Sequence, residues 1–210
     1  QRVPAVANIT VSGHILYWAI YVAKERDKLY QELIEAKDQL EKKTEELTAV
    51  SRRDTLTPLL NRRAANDDVL KMISQSRRAF VPLSFLLLDI DFFKKINDAF
   101  GHEEGDRILI KLSHVLLEQV RETDVVAGGG GEEFLIALPN SDKEQGQSIA
   151  EIIHAELQKN PVRMNGKSVV LTISMGLVQS QLDTTIAQDI KLADERLYKA
   201  KEQGKNRTCS

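Results

Sequence analysis

The sequence predicts an α+β fold in which a central, mainly antiparallel sheet is flanked by helices and preceded by a long coiled-coil helix. Segments of helical and strand periodicity follow one another without the strict strand–helix alternation that a parallel sheet requires. Two strands are joined by a turn made only of glycines, as in an antiparallel hairpin. Near its start the chain has a stretch without proline or glycine in which leucine recurs every seven residues.

Composition describes an ordinary charged surface around a real core. The 210 residues are 42% hydrophobic and 29% charged, with a formal net charge of −2. This length suits one domain of ordinary size and an extension, and the mixed charges argue against a nucleic acid polymer as partner. The single cysteine, Cys209, excludes an internal disulfide framework and a cysteine-based zinc site. We therefore expect a cytoplasmic protein.

The N-terminal segment, residues 3–23, contains no charged side chain and ends in aromatic and aliphatic residues before Lys24. A membrane-spanning helix needs about 20 mostly apolar residues, whereas Pro4 and several polar residues interrupt the first half of this segment. The apolar end suits a membrane interface, the packed end of a sensor domain or the start of a coiled coil. We interpret residues 1–14 as the tail of a truncated upstream sensor, with a membrane segment before residue 24 as the less favoured alternative.

Residues 15–53 are predicted to form one long coiled-coil helix. Leu33, Leu40 and Leu47 recur every seven residues at one position of the seam, and the second seam position is apolar except at Lys43. This heptad pattern is typical of a parallel two-stranded coiled coil. A helix packed on its own domain, or one stabilised by charge pairs four residues apart, is the alternative. The residues at the second seam position are Val22, Leu29, Ala36, Lys43 and Val50.

Residues 54–210 are predicted to form the globular domain. Apolar residues at helical spacing define its helices, and short apolar runs define its strands. Gly101 ends the second of these helices and Asn160-Pro161 ends the fourth. The predicted elements are a helix from Arg62 to Arg77, a strand from Val81 to Asp89, helices from Phe93 to Phe100 and Arg107 to Val120, strands from Asp124 to Ala127 and Phe134 to Leu138, a helix from Lys143 to Gln158, strands from Lys167 to Ser174 and Gly176 to Gln179, and a helix from Thr185 to Gln203.

Two acidic strand ends form the candidate site. An apolar strand runs into Asp89 and Asp91, which the period-2 alternation of a strand places on one face. The glycine turn, residues 128–131, leads into Glu132 and Glu133. Carboxylates at a strand end suit Mg²⁺, and glycine lets the backbone approach a phosphate. If the two strands are neighbours, Asp89, Glu132 and Glu133 converge on a metal–nucleotide site; the alternative is an acidic hairpin tip beside an ordinary strand end.

Six motifs occur in a fixed order along this part of the chain: Asp54 to Arg63, Asp89 to Asp98, Gly101-His102 with Gly105-Asp106, Gly130 to Phe134, Ser174 to Gly176, and Ala193 to Lys201 with Gly204 to Asn206. With these motifs in this order, the chain resembles the GGDEF-type diguanylate cyclases over about residues 51 to 207. The run Gly130 to Phe134 matches the name-giving motif in its GGEEF form. One such motif is a weak signal, but the ordered set is a strong one.

The resemblance implies a ferredoxin-like βααββαβ core of the nucleotidyl-cyclase type. It also implies an enzyme that condenses two GTP molecules into cyclic di-GMP, releases pyrophosphate and uses two Mg²⁺ or Mn²⁺ ions in each active site. The family's metal ligands fall on the carboxylates of Asp89 and Glu132 and on the carbonyl of Ile90, with Glu133 helping to hold the metal pair. Glu132 also matches the candidate general base, and Lys94 a cation that stabilises the transition state.

The resemblance further assigns residues to the GTP substrate. Asn97 and Asp106 match the family's guanine readers, because an amide and a carboxylate complement guanine and mismatch adenine. His102 falls near the ribose or the phosphates. Without the family pattern, the simpler interpretation of Asn97 is a polar helix residue that faces water, and that of His102 is a loop residue or a helix cap. Phosphate contacts fall on the backbone N–H groups of Phe92 and Phe93 and on the side chains of Lys94, Lys201 and Lys205.

Two further features concern control and activity. Arg121 and Asp124 have the spacing of the family's inhibitory RxxD site, where they would bind the product cyclic di-GMP; a surface Arg–Asp pair is the alternative. The chain departs from the family at Gly128-Gly129, where an arginine and an aromatic residue are usual. This departure favours an alternative function, in which the domain is a catalytically weakened or inactive receptor for cyclic di-GMP.

The product joins two GTP molecules, whereas one site binds one, so two domains must face each other. We therefore expect a homodimer held by the coiled coil, in which an upstream sensor sets the geometry between the two domains. A third interpretation is a dimerisation and output module that acts through protein contacts alone.

Overall fold

A computed structural model describes residues 18, 21–41, 43, 52–164 and 166–210. The chain divides into two compact units, Gln1–Ser51 and Arg52–Ser210. In the first unit residues 21–41 form one helix, α1. Within the described residues no helix is long and apolar enough to cross a membrane. The predicted tail, residues 1–14, lies outside the part of the chain that the structure describes.

The predicted coiled-coil seam is exposed on α1. Val22, Leu29 and Leu33 are 58%, 59% and 65% exposed. An apolar stripe along one side of a helix is typical of a surface that another element covers. Leu47 and Val50 of the same seam lie outside the described residues, and the coiled coil itself stays a prediction.

The second unit is an α+β domain. In chain order its elements are α2 (Arg62–Ala79), β1 (Leu83–Ile90), α3 (Phe93–Phe100), α4 (His102–Gln119), β2 (Val125–Gly130), β3 (Glu133–Pro139), α5 (Lys143–Lys159), β4 (Val162–Met164), β5 (Lys167–Val169), β6 (Ile173–Gln179), α6 (Ile186–Glu202) and β7 (Thr208–Cys209). Five strands form one sheet in the order β2-β3-β1-β6-β7, and β4 and β5 form a separate pair. β1 is central and pairs antiparallel with β3 and β6, while β7 runs parallel to β6.

Helices cover both faces of the five-stranded sheet. The alternation of side chains along β1 sends Leu86, Leu88 and Ile90 into a core shared with α4 and α5. Leu83 and Phe85 point to the opposite face, which α2 covers and where α6 lies against β6 and β1. The run β1-α3-α4-β2-β3-α5-β6 confirms the expected βααββαβ core with its mainly antiparallel sheet.

The predicted strand from Lys167 to Ser174 is wrong. β5 ends at Val169, and Ser174 lies with Gly176 in β6, which continues through both residues without a break. Gly176 belongs inside this strand because a Cβ there would come 1.9 Å from the carbonyl oxygen of Ala193. The glycine therefore marks the close approach of α6 to the sheet, not a strand end.

Other boundaries also differ from the prediction. α4 begins at His102 and not at Arg107, because Gly101, with a φ of 90°, already turns the chain into the new helix. β2 continues through Gly130 and does not end at Ala127, because its glycines pair with β3. The short strands β4 and β7 are absent from the prediction, since two or three residues carry no measurable periodicity.

Candidate active site

The two acidic strand ends are neighbours. β1 and β3 pair antiparallel with Asp89 opposite Glu133, and the N–H of Ile90 donates to the carbonyl of Glu132 at 3.3 Å. Opposite residues of an antiparallel pair project from the same face. Asp89 and Glu133 therefore share one face of the sheet, the face on which α6 lies. Glu132 lies in the turn directly before Glu133.

α6 brings a cation to these acids. Lys201 Nζ lies 2.9 Å from Oδ2 of Asp89, which is buried. Burial is the main cause that raises the pKa of Glu132; the charge of Asp89 adds to it, the Lys201 ammonium opposes it, and Glu133 also raises it. These four side chains are close enough to act on one another electrostatically. Glu132 is consequently easier to protonate than an ordinary glutamate.

The donor set suits a hard divalent cation that is bound together with phosphate. Across the described residues, no group of three or more His, Cys, Asp or Glu side chains is arranged to hold a metal ion. Asp89, Glu132 and the Ile90 carbonyl offer oxygen ligands only, and Mg²⁺ commonly binds one or two carboxylates together with substrate phosphates. These residues therefore fit the predicted metal.

The glycine hairpin is tighter than its composition suggests. Its first glycines belong to β2 and pair with β3 around a bulge, so that the turn contains only Gly131 and Glu132. Gly130 and Gly131 have φ values of 111° and 68°, which favour glycine. Gly128 differs from them, because nothing lies within 4 Å of a Cβ built there. The tip thus requires glycine for its backbone, while position 128 has room for a side chain.

The turn from β1 into α3, called the phosphate cradle below, contains the two backbone N–H groups that are predicted to contact phosphate, those of Phe92 and Phe93. Phe92 has a left-handed backbone (φ 60°) and gives α3 no side-chain cap, and uncapped N–H groups at a helix N-terminus attract anions. Lys95 and Lys205 bring their ammonium groups to 4.8 and 5.0 Å from the centroid of the Phe92 ring. Lys94 is exposed on the first turn of α3, and the Phe93 ring is buried in the core.

Asn97 and Gly105 are closely packed between α3 and α4. Oδ1 of Asn97 is buried and has no hydrogen-bond partner within the described residues, and leaving a buried acceptor unpaired costs free energy. A Cβ at Gly105 would lie 2.0 Å from this oxygen. A ligand with an N–H donor, such as guanine, would satisfy it. His102 and Asp106 are exposed on the first two turns of α4.

The Arg121–Asp124 turn precedes β2 and lies at the opposite end of that strand from the hairpin tip. Asp124 Oδ2 accepts from the N–H of Arg121 at 2.8 Å, and the N–H of Asp124 donates to the carbonyl of Arg121 at 3.0 Å. The Arg121 side chain is exposed. The length of β2 separates this turn from the acids at the hairpin by roughly 20 Å. The predicted inhibitory site is thus spatially separate from the predicted catalytic one.

The sequence predicts no functional role for two residues near the site. Asp91 is 3% exposed and accepts from Ser174 Oγ at 2.7 Å and from the N–H of Asn206 at 2.9 Å. Lys95 is the second cation beside Phe92. The alternation of Asp91 with Asp89 was a usable signal, whereas nothing in the sequence distinguishes Lys95 from the lysine before it.

Comparisons with known proteins identify the family to which this domain is similar. The family model described as diguanylate cyclase, GGDEF domain, matches residues 51–207. Diguanylate cyclase DosC of Escherichia coli (strain K12) is 38% identical over 155 residues, which cover 73% of this chain and 34% of DosC. The chain therefore spans about a third of the length of this curated relative.

Solved structures give the same result at the level of the fold. The active GGEEF domain of a diguanylate cyclase from Vibrio cholerae is 34% identical with a TM-score of 0.65, over 72% of this chain and 96% of that one. The coiled coil and GGDEF domain of DgcB from Caulobacter crescentus, in complex with c-di-GMP, is 25% identical with a TM-score of 0.72. That similarity covers 86% of this chain and 98% of the DgcB chain.

The packing of Gly105 against Asn97 generates a testable prediction. In Gly105→Ala the added methyl group would displace the Asn97 amide, and we expect the dissociation constant for GTP to rise by about tenfold, the loss of one good contact. Titration calorimetry with GTP measures this change, and thermal unfolding reports whether the variant folds. In Asn97→Ala/Gly105→Ala the clash is gone, so stability should recover while binding stays as weak as in Asn97→Ala. Unchanged GTP affinity in Gly105→Ala would contradict the assignment.

Proposed function

The chain belongs to the diguanylate cyclase family that is defined by the GGDEF domain, and we propose that it condenses two GTP molecules into cyclic di-GMP with release of pyrophosphate. The observation that carries the proposal is the convergence of three groups at the end of β1. The acids of β1 and the hairpin, the cation of Lys201 and the uncapped N-terminus of α3 all meet there.

In this proposal the chain's own residues bind and orient the substrate. The N–H groups of Phe92 and Phe93, with the nearby ammonium groups of Lys95 and Lys205, hold the triphosphate. Asn97 and Asp106 read guanine, and the buried Oδ1 of Asn97 supports this role because it has an acceptor to offer. Lys94 and Lys201 bring positive charge to phosphate oxygens, where negative charge develops in the transition state.

The reaction is attack by a ribose 3′-hydroxyl on the α-phosphorus of the other GTP. The 3′ oxygen forms the new bond, the bond from the α-phosphorus to the bridging oxygen of pyrophosphate breaks, and the Glu132 carboxylate accepts the hydroxyl proton. Asp89, Glu132 and the Ile90 carbonyl, with Glu133 beside them, would hold two Mg²⁺ or Mn²⁺ ions. When bound, these ions neutralise phosphate charge and make the hydroxyl more acidic.

The proposal requires two copies of the domain. Each site binds one GTP, and the two must face each other for both bonds to form. We propose that α1 pairs with α1 of a second copy through the seam that contains Leu29 and Leu33. The resulting homodimer would work in the cytoplasm under the control of an upstream sensor. The exposure of this seam is the supporting observation. Arg121 and Asp124 would bind cyclic di-GMP and inhibit the enzyme.

A second candidate function is a receptor for cyclic di-GMP with weak or no turnover. The observation that favours it is Gly128, where the chain has no cation although the space for a side chain is open. The two candidates differ in whether GTP is consumed.

Incubation of the protein with GTP and Mg²⁺ tests the main proposal. Chromatography should detect cyclic di-GMP and pyrophosphate, and neither should form with ATP or with EDTA. Glu132→Gln removes the proton acceptor and one metal ligand, so its product should fall by at least about a hundredfold, the usual size of a general-base contribution. Glu118→Gln, an exposed glutamate on α4, serves as the matched control and should be fully active. Equal turnover in Glu132→Gln would contradict the catalytic assignment, and cyclic di-GMP binding without any turnover would favour the receptor.

The seam of α1 offers a test of the dimer. Leu33→Gln should lower both the dimer population and the specific activity at low protein concentration, because it places an amide in the apolar seam. Ile34→Gln makes the same change one residue later, outside the seam, and should leave both unchanged. Analytical ultracentrifugation and initial rates measured across protein concentration check the pair. Equal effects of the two variants would remove α1 as the element that assembles the enzyme.

Product inhibition can be tested at the turn before β2. Arg121→Ala removes the guanidinium that would bind the phosphate of cyclic di-GMP, so the inhibition constant for added product should rise by about tenfold or more, the worth of one good charged contact. Arg163→Ala, an exposed arginine in β4, is the control. An inhibition curve that Arg121→Ala does not shift would exclude this turn as the inhibitory site.

A further inference from the structure

The turn that follows α6 is unusual, because three consecutive residues have left-handed backbone. Gly204, Lys205 and Asn206 have φ values of 112°, 63° and 49°. Glycine adopts this conformation freely, but lysine does so at a cost and asparagine only somewhat more readily. Such a turn persists only where surrounding contacts hold it.

Asp91 supplies one of those contacts. Its side chain is 3% exposed, and its Oδ2 accepts from the N–H of Asn206 at 2.9 Å. Ser174 Oγ donates to the other carboxylate oxygen at 2.7 Å and so fixes its orientation. Within the described residues Asp91 forms no ion pair, and these two donors hold the buried carboxylate. It is therefore a fixed acceptor at the back of the turn.

The same residue is joined to the phosphate cradle. Asp91 directly precedes Phe92, and its N–H donates to the carbonyl of Thr172 at 2.9 Å, which holds the end of β1. On the other side of the turn, Lys205 lies with its ammonium group 5.0 Å from the Phe92 ring. Asp91 thus connects the two parts of the chain that are proposed to contact the triphosphate, the turn at Phe92 and the turn at Lys205.

We propose that Asp91 is a positioning residue, which holds the left-handed turn so that the Lys205 ammonium lies over the Phe92 cradle. The inference rests on the proposed function, since it assumes that a nucleoside triphosphate binds there. Asp91 touches neither substrate nor metal in this role. Its loss should weaken binding of the triphosphate more than it slows the chemical step, because it acts through Lys205.

The test measures GTP binding directly, so that it does not depend on turnover. Asp91→Asn keeps the size of the side chain but turns an N–H₂ group toward one of its two donors. By titration calorimetry in the presence of Mg²⁺, its dissociation constant for GTP should rise by about tenfold, the effect of misplacing one cation. KM should rise in parallel, with kcat changed by much less.

Asp189→Asn is the matched control. Asp189 is also buried, at 2% exposure, and accepts from two hydroxyls, those of Ser180 and Thr184, at 2.6 and 2.8 Å. These contacts lie at the other end of α6. This variant reports the general cost of altering a buried aspartate, and its GTP affinity should be unchanged. An equal loss of affinity in both variants would overturn the proposal.

A double-mutant cycle with Lys205→Met separates positioning from a merely structural role. If Asp91 acts through Lys205, then Lys205→Met weakens binding in the natural chain but adds little to Asp91→Asn. Additive losses would overturn the proposal. Should Asp91→Asn not fold, Ser174→Ala carries the same cycle, and an unchanged dissociation constant for GTP in that variant would count against the inference. If GTP binding follows these expectations while no cyclic di-GMP forms, only the proposed catalytic function fails.

Discussion

The fixed register between β1 and β3 is the constraint on which the rest of the site depends. Asp89 stands opposite Glu133 in this pairing, and a slip of one residue would turn every side chain of the strand to the other face. Asp89 would then point into the core that Leu88 and Ile90 now fill. The apolar side chains that pack against α4 and α5 therefore also determine where the acids of the site lie.

The second part of the site is set by how closely α6 approaches the sheet. Gly176 has no Cβ, and the carbonyl of Ala193 occupies the space that one would take. This contact holds α6 against β6, two turns of helix before Lys201 forms its ion pair with Asp89. Charge placement at the surface of the domain thus follows from backbone packing in its interior.

Much of this organisation could be predicted from the sequence, and the failures have physical causes. α3 has the predicted bounds because Gly101 stops it and an apolar strand precedes it. The bounds near Gly176 could not be predicted, since a glycine that admits another helix has the same sequence pattern as one that ends a strand. The acids at the strand ends were found because carboxylates after an apolar run are unusual. The role of Asp91 was not, because its partners Ser174 and Asn206 are distant along the chain. The contact between Lys95 and Phe92 could not be predicted either, because it depends on the orientation of a single ring.

At position 128 the charge of a side chain is independent of the backbone geometry of the hairpin, two properties that are usually coupled in an active site. A side chain there would meet nothing within 4 Å, although the residue belongs to a strand that is paired with β3. The electrostatic potential of the hairpin can consequently be tuned at this position while its geometry stays constant. One substitution at this position, which the framework leaves open, would therefore alter the charge beside the hairpin without altering the fold.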